Sequence, residues 1–154
     1  MAATTHLSGA LPLEKQLERT GHLVSVERQV QGMLGGLSAQ FVLGLALATV
    51  AGYDADTHTG NHAVYQIVLT LHSLLAIGLL VGSILLVRAV IKQTPKLMGL
   101  AVTGLVAIIV SFVAGLARLS VDAEWLTFIM GTGFIVAISV YGRLLGEVLK
   151  RSEN

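Results

Sequence analysis

Cysteine is absent from the 154 residues, and proline occurs only twice. The first absence removes disulfides, thiolate metal sites, iron–sulfur clusters and thiol nucleophiles. The second leaves long stretches free to remain helical, because proline is the residue that most reliably interrupts a helix. Charge is scarce as well: 12% of residues are Asp, Glu, Lys or Arg. A soluble domain carries about 25%. Half that supply cannot cover a water-facing surface, so the solvent for this chain is lipid. A length of this order allows one domain.

What the chain has instead is apolar length, with 54% hydrophobic residues and a mean hydropathy of +0.78. A bilayer-spanning helix needs roughly 20 residues. Four runs meet that length, near 30–52, 64–87, 97–117 and 125–148. The expected fold is all-α and integral to the membrane, a four-helix bundle running up-down-up-down within residues 30–149. Residues 1–29 form an N-terminal segment and 150–154 a short tail.

Basic residues set the expected orientation. Lys15, Arg19 and Arg28 precede the first span, and Arg88, Lys92 and Lys96 lie between the second and third. Arg143, Lys150 and Arg151 close the chain, so nine of the ten basic residues fall on one side and only Arg118 opposite. The positive-inside rule then places both termini in the cytoplasm, with the protein in the cell (inner) membrane. Tyr53, Tyr65 and Trp125 gather at the outer ends, where an aromatic belt belongs.

The N-terminal segment lacks a basic start, an early apolar run and a small-residue cleavage site, so it does not read as a secretory signal. Pro12, Leu13, Leu17 and Val24 suit a helix lying on the cytoplasmic membrane face, and Gly21 weakens it. A solvated tail is the alternative.

Small residues recur four apart in every span: Gly32 and Gly36; Gly44, Ala48 and Gly52; Gly78 and Gly82; Ala107, Ser111 and Gly115; Gly133 and Ala137. Small side chains let backbones approach where apolar burial supplies no net drive. Two uses are open, packing within one bundle and association between copies or with a larger membrane complex.

The stretch VLTLHSLLAIG holds His72 in an uncharged run. An ionisable group there faces protein or a cavity, and its N–H needs a partner. His72 lies about ten residues below the outer end of its span, roughly 15 Å down, and Gln40 lies about twelve residues down the first. The two are level, and a Gln40–His72 hydrogen bond is the economical expectation. Axial ligation of heme b by His72 is the functional alternative, with Met130, His62 or His72 of a second copy as the other ligand.

Asp54, Asp56, His58 and His62 form D-x-D-x-H-x-x-x-H on the outer loop, a donor set that suits zinc or copper. Gly60 and Asn61 favour a turn there, and a wet loop carries such residues in any case. Arg143 with Glu147, and Arg118 with Asp122 or Glu124, read as interfacial pairs. Nothing in the sequence pairs a nucleophile with a base, cradles a phosphate or points to nucleic acid. A small-solute carrier or channel remains a third class.

The segments LHSLLAIGLLVGSILLVRAV, GLVAIIVSFVAGLARL and EWLTFIMGTGFIVAISVYGRLL resemble a group of small uncharacterised bacterial four-span membrane proteins. That group is distantly similar to one half of heme A synthase, a bundle of two four-helix repeats. The resemblance implies a four-helix bundle and carries over one residue, His72, as a heme-facing ligand. The fourth span has no histidine, the first no glutamate and the outer loop no cysteine pair, so nothing further of that site is transferred. The sequence expectation is therefore a multi-pass membrane protein without a recognisable catalytic centre, an accessory subunit or small homo-oligomer. A His72 heme protein is the alternative.

Overall fold

The computed structural model describes residues 13–49, 62–118, 120–121 and 123–152. Asp54, Asp56 and His58 of the candidate metal motif lie outside the described residues, as do Tyr53 and Asp122. Four helices make up the described chain: α1 Leu13–Thr49, α2 His62–Gln93, α3 Met98–Arg118 and α4 Glu124–Ser152. All four are long and apolar enough to cross a membrane, over Val24–Leu47, His62–Gln93, Pro95–Arg118 and Glu124–Arg151. Helix α1 runs unbroken from Leu13 through Gly21 into the first span.

Local chemistry fixes the turn between α2 and α3. Thr94 precedes a proline, whose ring disfavours the helical region for the residue before it. Thr94 accordingly sits at φ −142° and ψ 65°, and Pro95 opens a short 3₁₀ turn, Pro95–Leu97. The Thr94 N–H still donates to the Val90 carbonyl at 2.8 Å, and the Leu97 N–H donates to the Thr94 carbonyl at 2.8 Å. Leu97 is buried against the bundle.

The buried side chains lie on one stripe per helix: Val26, Val30, Met33 and Leu37 on α1; Leu79, Ser83, Leu86 and Val90 on α2; Ala101, Gly104 and Ile108 on α3; Gly133, Ala137, Tyr141, Leu144 and Val148 on α4. Spacings of three and four residues are those of packed helical seams. Helix α1 packs on α2 and α4, and α3 packs on α2 and α4, closing a four-membered ring. Burial is uneven along its axis. On α1 beyond Leu37, and on α2 before Leu79, no described side chain is fully buried, whereas α3 and α4 keep Ala114 and Leu126 buried at that end.

Glycines divide into two populations. Inward ones are covered by a side chain: Gly36 by Leu79, Gly82 by Met33, Gly44 by His72, Gly115 by Met130, Gly104 by Tyr141 and Gly133 by Ser111. Gly32, Gly35, Gly78, Gly99, Gly131, Gly142 and Gly146 have nothing within 4 Å of where a side chain would begin. The four-apart pairs Gly32/Gly36 and Gly78/Gly82 are thus split, one member facing outward and one facing a neighbouring helix. Four residues advance about 400° around a helix, so pairs near the edge of a face diverge.

Around this core the outer surface is hydrocarbon. Phe128 is 75% exposed and Ile135 66%, with Ile67, Leu74, Val42 and Trp125 similarly uncovered. In water that surface would be a liability; against acyl chains it is ordinary.

Candidate functional site

A polar centre joins the C-terminal half of α1 to the N-terminal half of α2. The Gln40 amide and the His72 imidazole meet with Nε2 to Nε2 at 2.9 Å. With the amide N–H donating, the imidazole accepts at Nε2 and carries its proton on Nδ1. Gly44, one turn along α1 from Gln40, lets the ring lie against the helix: a side chain there would begin 3.6 Å from His72 Cε1. The pair is half-buried.

Each partner keeps one polar atom in reserve. Gln40 Oε1 and His72 Nδ1 are buried and have no hydrogen-bond partner. Turning the amide over exchanges the roles, yet either arrangement leaves at least one donor and one acceptor. Such groups in an apolar surround cost free energy until something pairs with them.

Met130 is held elsewhere, between α4 and α3. Its Sδ lies 3.4 Å from the side-chain position of Gly115, and its backbone carbonyl accepts a 3.0 Å hydrogen bond from Ser111 Oγ. His62 is the first residue of α2 and is exposed. Among the described residues no three His, Asp or Glu side chains gather at metal-binding distance.

A second polar feature, which the sequence reading did not single out, lies deeper. Tyr141 of α4 is fully buried and its ring covers Gly104 of α3. Its hydroxyl faces that of Ser83 on α2. Ser83 commits its own proton to the Leu80 carbonyl at 2.8 Å, and the Tyr141 hydroxyl makes no well-formed hydrogen bond. A tyrosine, a serine and a glycine in otherwise apolar spans were the available signal.

One charged pair differs from the sequence reading. Glu147 is 3.6 Å from Lys150, an exposed pair three apart, and Arg143 makes no ion pair with it. Arg118 reaches the Val121 carbonyl at 3.5 Å. A stacked pair, Phe41 of α1 and Phe134 of α4, with ring centroids 5.9 Å apart, ties the C-terminal half of α1 to α4. The groove between α3 and α4, about 300 Å³, is lined by Thr103, Val106, Val110, Phe128 and Thr132 and is almost wholly apolar.

No family model, curated protein or solved structure matches this chain.

Proposed function

We propose that this chain is a multi-pass component of the inner membrane that acts by lateral association, as an accessory subunit of a larger complex or a small homo-oligomer. In this reading the bundle runs up-down-up-down, with both termini cytoplasmic. The pairings Met33 with Gly82, Gly36 with Leu79 and Gln40 with His72 support it, because numbering falls on one helix as it rises on the other. Gly104 with Tyr141 and Gly115 with Met130 support the same sense for α3 and α4. Arg28, Arg88, Lys92, Lys96, Lys150 and Arg151 then share the cytoplasmic end.

The observation that carries the association reading is the outward set of glycines. A bundle needs small residues only where its own helices touch. At Gly32, Gly35, Gly78, Gly131, Gly142 and Gly146 a side chain would begin with no described atom of another helix within 4 Å, and glycine in a helix interior costs about 0.5–1 kcal/mol relative to alanine. Small residues on a lipid-facing surface serve another helix that comes close. Extraction in native lipid, followed by mass determination of the intact particle, tests this. More than one polypeptide per particle supports it; a single copy alone contradicts it.

A second reading, a b-type heme protein, is favoured by one specific relationship. His72 lies eleven residues before Ser83, and Met130 eleven before Tyr141. Eleven residues is close to three turns, and the Ser83 and Tyr141 hydroxyls face one another. In the up-down arrangement His72 and Met130 therefore share a depth and a face direction across the bundle. Imidazole and thioether are a donor set that heme iron accepts, and His72 Nδ1 is an orphan. His72 Nε2 is taken by Gln40, so ligation there would require that bond to open. His72 and Met130 would hold the iron, and heme would supply one-electron redox chemistry. A Soret band in protein expressed with ample heme, lost in both His72→Ala and Met130→Ala, supports this reading; its absence disposes of it.

A further inference from the structure

Arg143 is the anomaly among the charged residues. It is exposed, two turns inside the end of α4, and the nearest acid on its own helix, Glu147, is turned to Lys150 instead. A guanidinium at this depth lies near the boundary of the hydrocarbon, where an unpaired charge is costly.

The surface around it is shaped for close approach. Gly142 and Gly146 flank Arg143 and have open space outside them. One turn above sits Ser139, whose hydroxyl is folded back onto the Ile135 carbonyl at 2.8 Å. Ile135 and Phe128 continue the exposed face toward the other end. The ridge Ile135–Ser139–Arg143–Glu147 therefore runs beside a groove levelled at Gly142 and Gly146. When two helices cross with such four-apart ridges interdigitated, each ridge lies in the other's groove.

We infer that this face of α4 is the contact between two copies of the chain, related by a two-fold axis along the membrane normal, with Arg143 of each paired to Glu147 of the other. The inference rests on the lateral-association reading and specifies the partner and the face. Charge identifies the occupant. A two-fold interface presents one patch to itself, so it must be self-complementary, and a base and an acid one turn apart on one ridge meet that requirement. The directions agree: side chains tilt toward the helix N-terminus, which raises Glu147 toward Arg143, while the arginine snorkels toward the headgroups. The two-fold axis then forms the Arg143–Glu147 pair twice, once in each direction across the interface. The bidentate geometry of arginine with carboxylate favours this pairing over the contact between Lys150 and Glu147.

The absence of native cysteine makes the test clean. Ser139→Cys supplies the sole thiol in the chain, and mild oxidation in vesicles of phosphatidylcholine alone should yield a disulfide-linked dimer. Val81→Cys on the lipid-facing side of α2 should not. Gly146→Leu adds a side chain into open space, so the monomer should keep its thermal stability while Ser139→Cys cross-linking is lost. Arg143→Glu and Glu147→Arg should each abolish cross-linking, and the double exchange should restore it. Three results overturn the inference. If native particles hold several chains but Ser139→Cys does not cross-link and Gly146→Leu changes nothing, association is real and uses another face. If dimers appear only with added phosphatidylglycerol and the double exchange fails to rescue, Arg143 serves an anionic headgroup. If every variant and the parent chain are single copies in native lipid, the association reading falls too.

Discussion

The ring of Tyr141 lies directly on Gly104, so close that a methyl group at position 104 would stand 2.5 Å from Cε1 and 2.6 Å from Cζ. A rigid ring, itself walled in by the core, cannot step aside as the tip of a flexible chain can. This contact sets the spacing of α3 and α4 between the start of α3 and the end of α4.

Gly104→Ala should therefore destabilise the bundle by about 1–3 kcal/mol, the usual cost of overpacking. Gly142→Ala, whose methyl would enter open space, should leave stability unchanged or raised. Reversible unfolding in mixed micelles of rising SDS fraction measures both. Equal losses would show that the inward and outward glycines are not distinct.

A finer ranking applies among the inward glycines. A side chain on Gly82 would meet the Met33 sulfur at 2.9 Å, the end of a flexible chain that changes rotamer readily. One on Gly133 would meet the Ala107 backbone carbonyl at 3.0 Å, along with the Ser111 hydroxyl. Backbone cannot yield without moving its helix. Gly133→Ala should thus cost more than Gly82→Ala in the same unfolding measurement, by about 1 kcal/mol or more. The reverse order would contradict the packing described.

These contrasts mark what a sequence can and cannot convey. The four spans stand out because twenty apolar residues have few other uses. The depth of Gln40 and His72 follows from counting along each span, and the two residues are 2.9 Å apart. Facing is harder. In a soluble helix, polar residues mark the outside; here both the lipid face and the core are apolar, so Gly32 and Gly36 look alike though one is uncovered and the other lies under Leu79. Tyr141 escaped notice for the same reason, since a tyrosine suits an interface as well as a core. The Arg143–Glu147 pair was read from spacing alone, and Lys150 competes for the same carboxylate.

The Gln40–His72 hydrogen bond should contribute modestly. Interhelical hydrogen bonds in membranes average about 0.6 kcal/mol and reach about 1.7. A double-mutant cycle with Gln40→Leu and His72→Leu should return a coupling in that range. A value above about 3 kcal/mol, well beyond that range, would mean that Gln40 Oε1 and His72 Nδ1 belong to a larger network including a bound molecule.

Orientation is tested by labelling single cysteines in intact cells. His62→Cys at the start of α2 should react with a membrane-impermeant maleimide from outside, and Lys92→Cys at its end only after the membrane is opened. Labelling of both from one side would refute the topology.

The most direct measurement is the number of chains in a particle taken from the membrane with its native lipid, read by native mass spectrometry. A particle holding two copies, or one copy with a different subunit, is the expected result. A solitary chain would leave the uncovered glycines of α1, α2 and α4 without a purpose and would contradict lateral association.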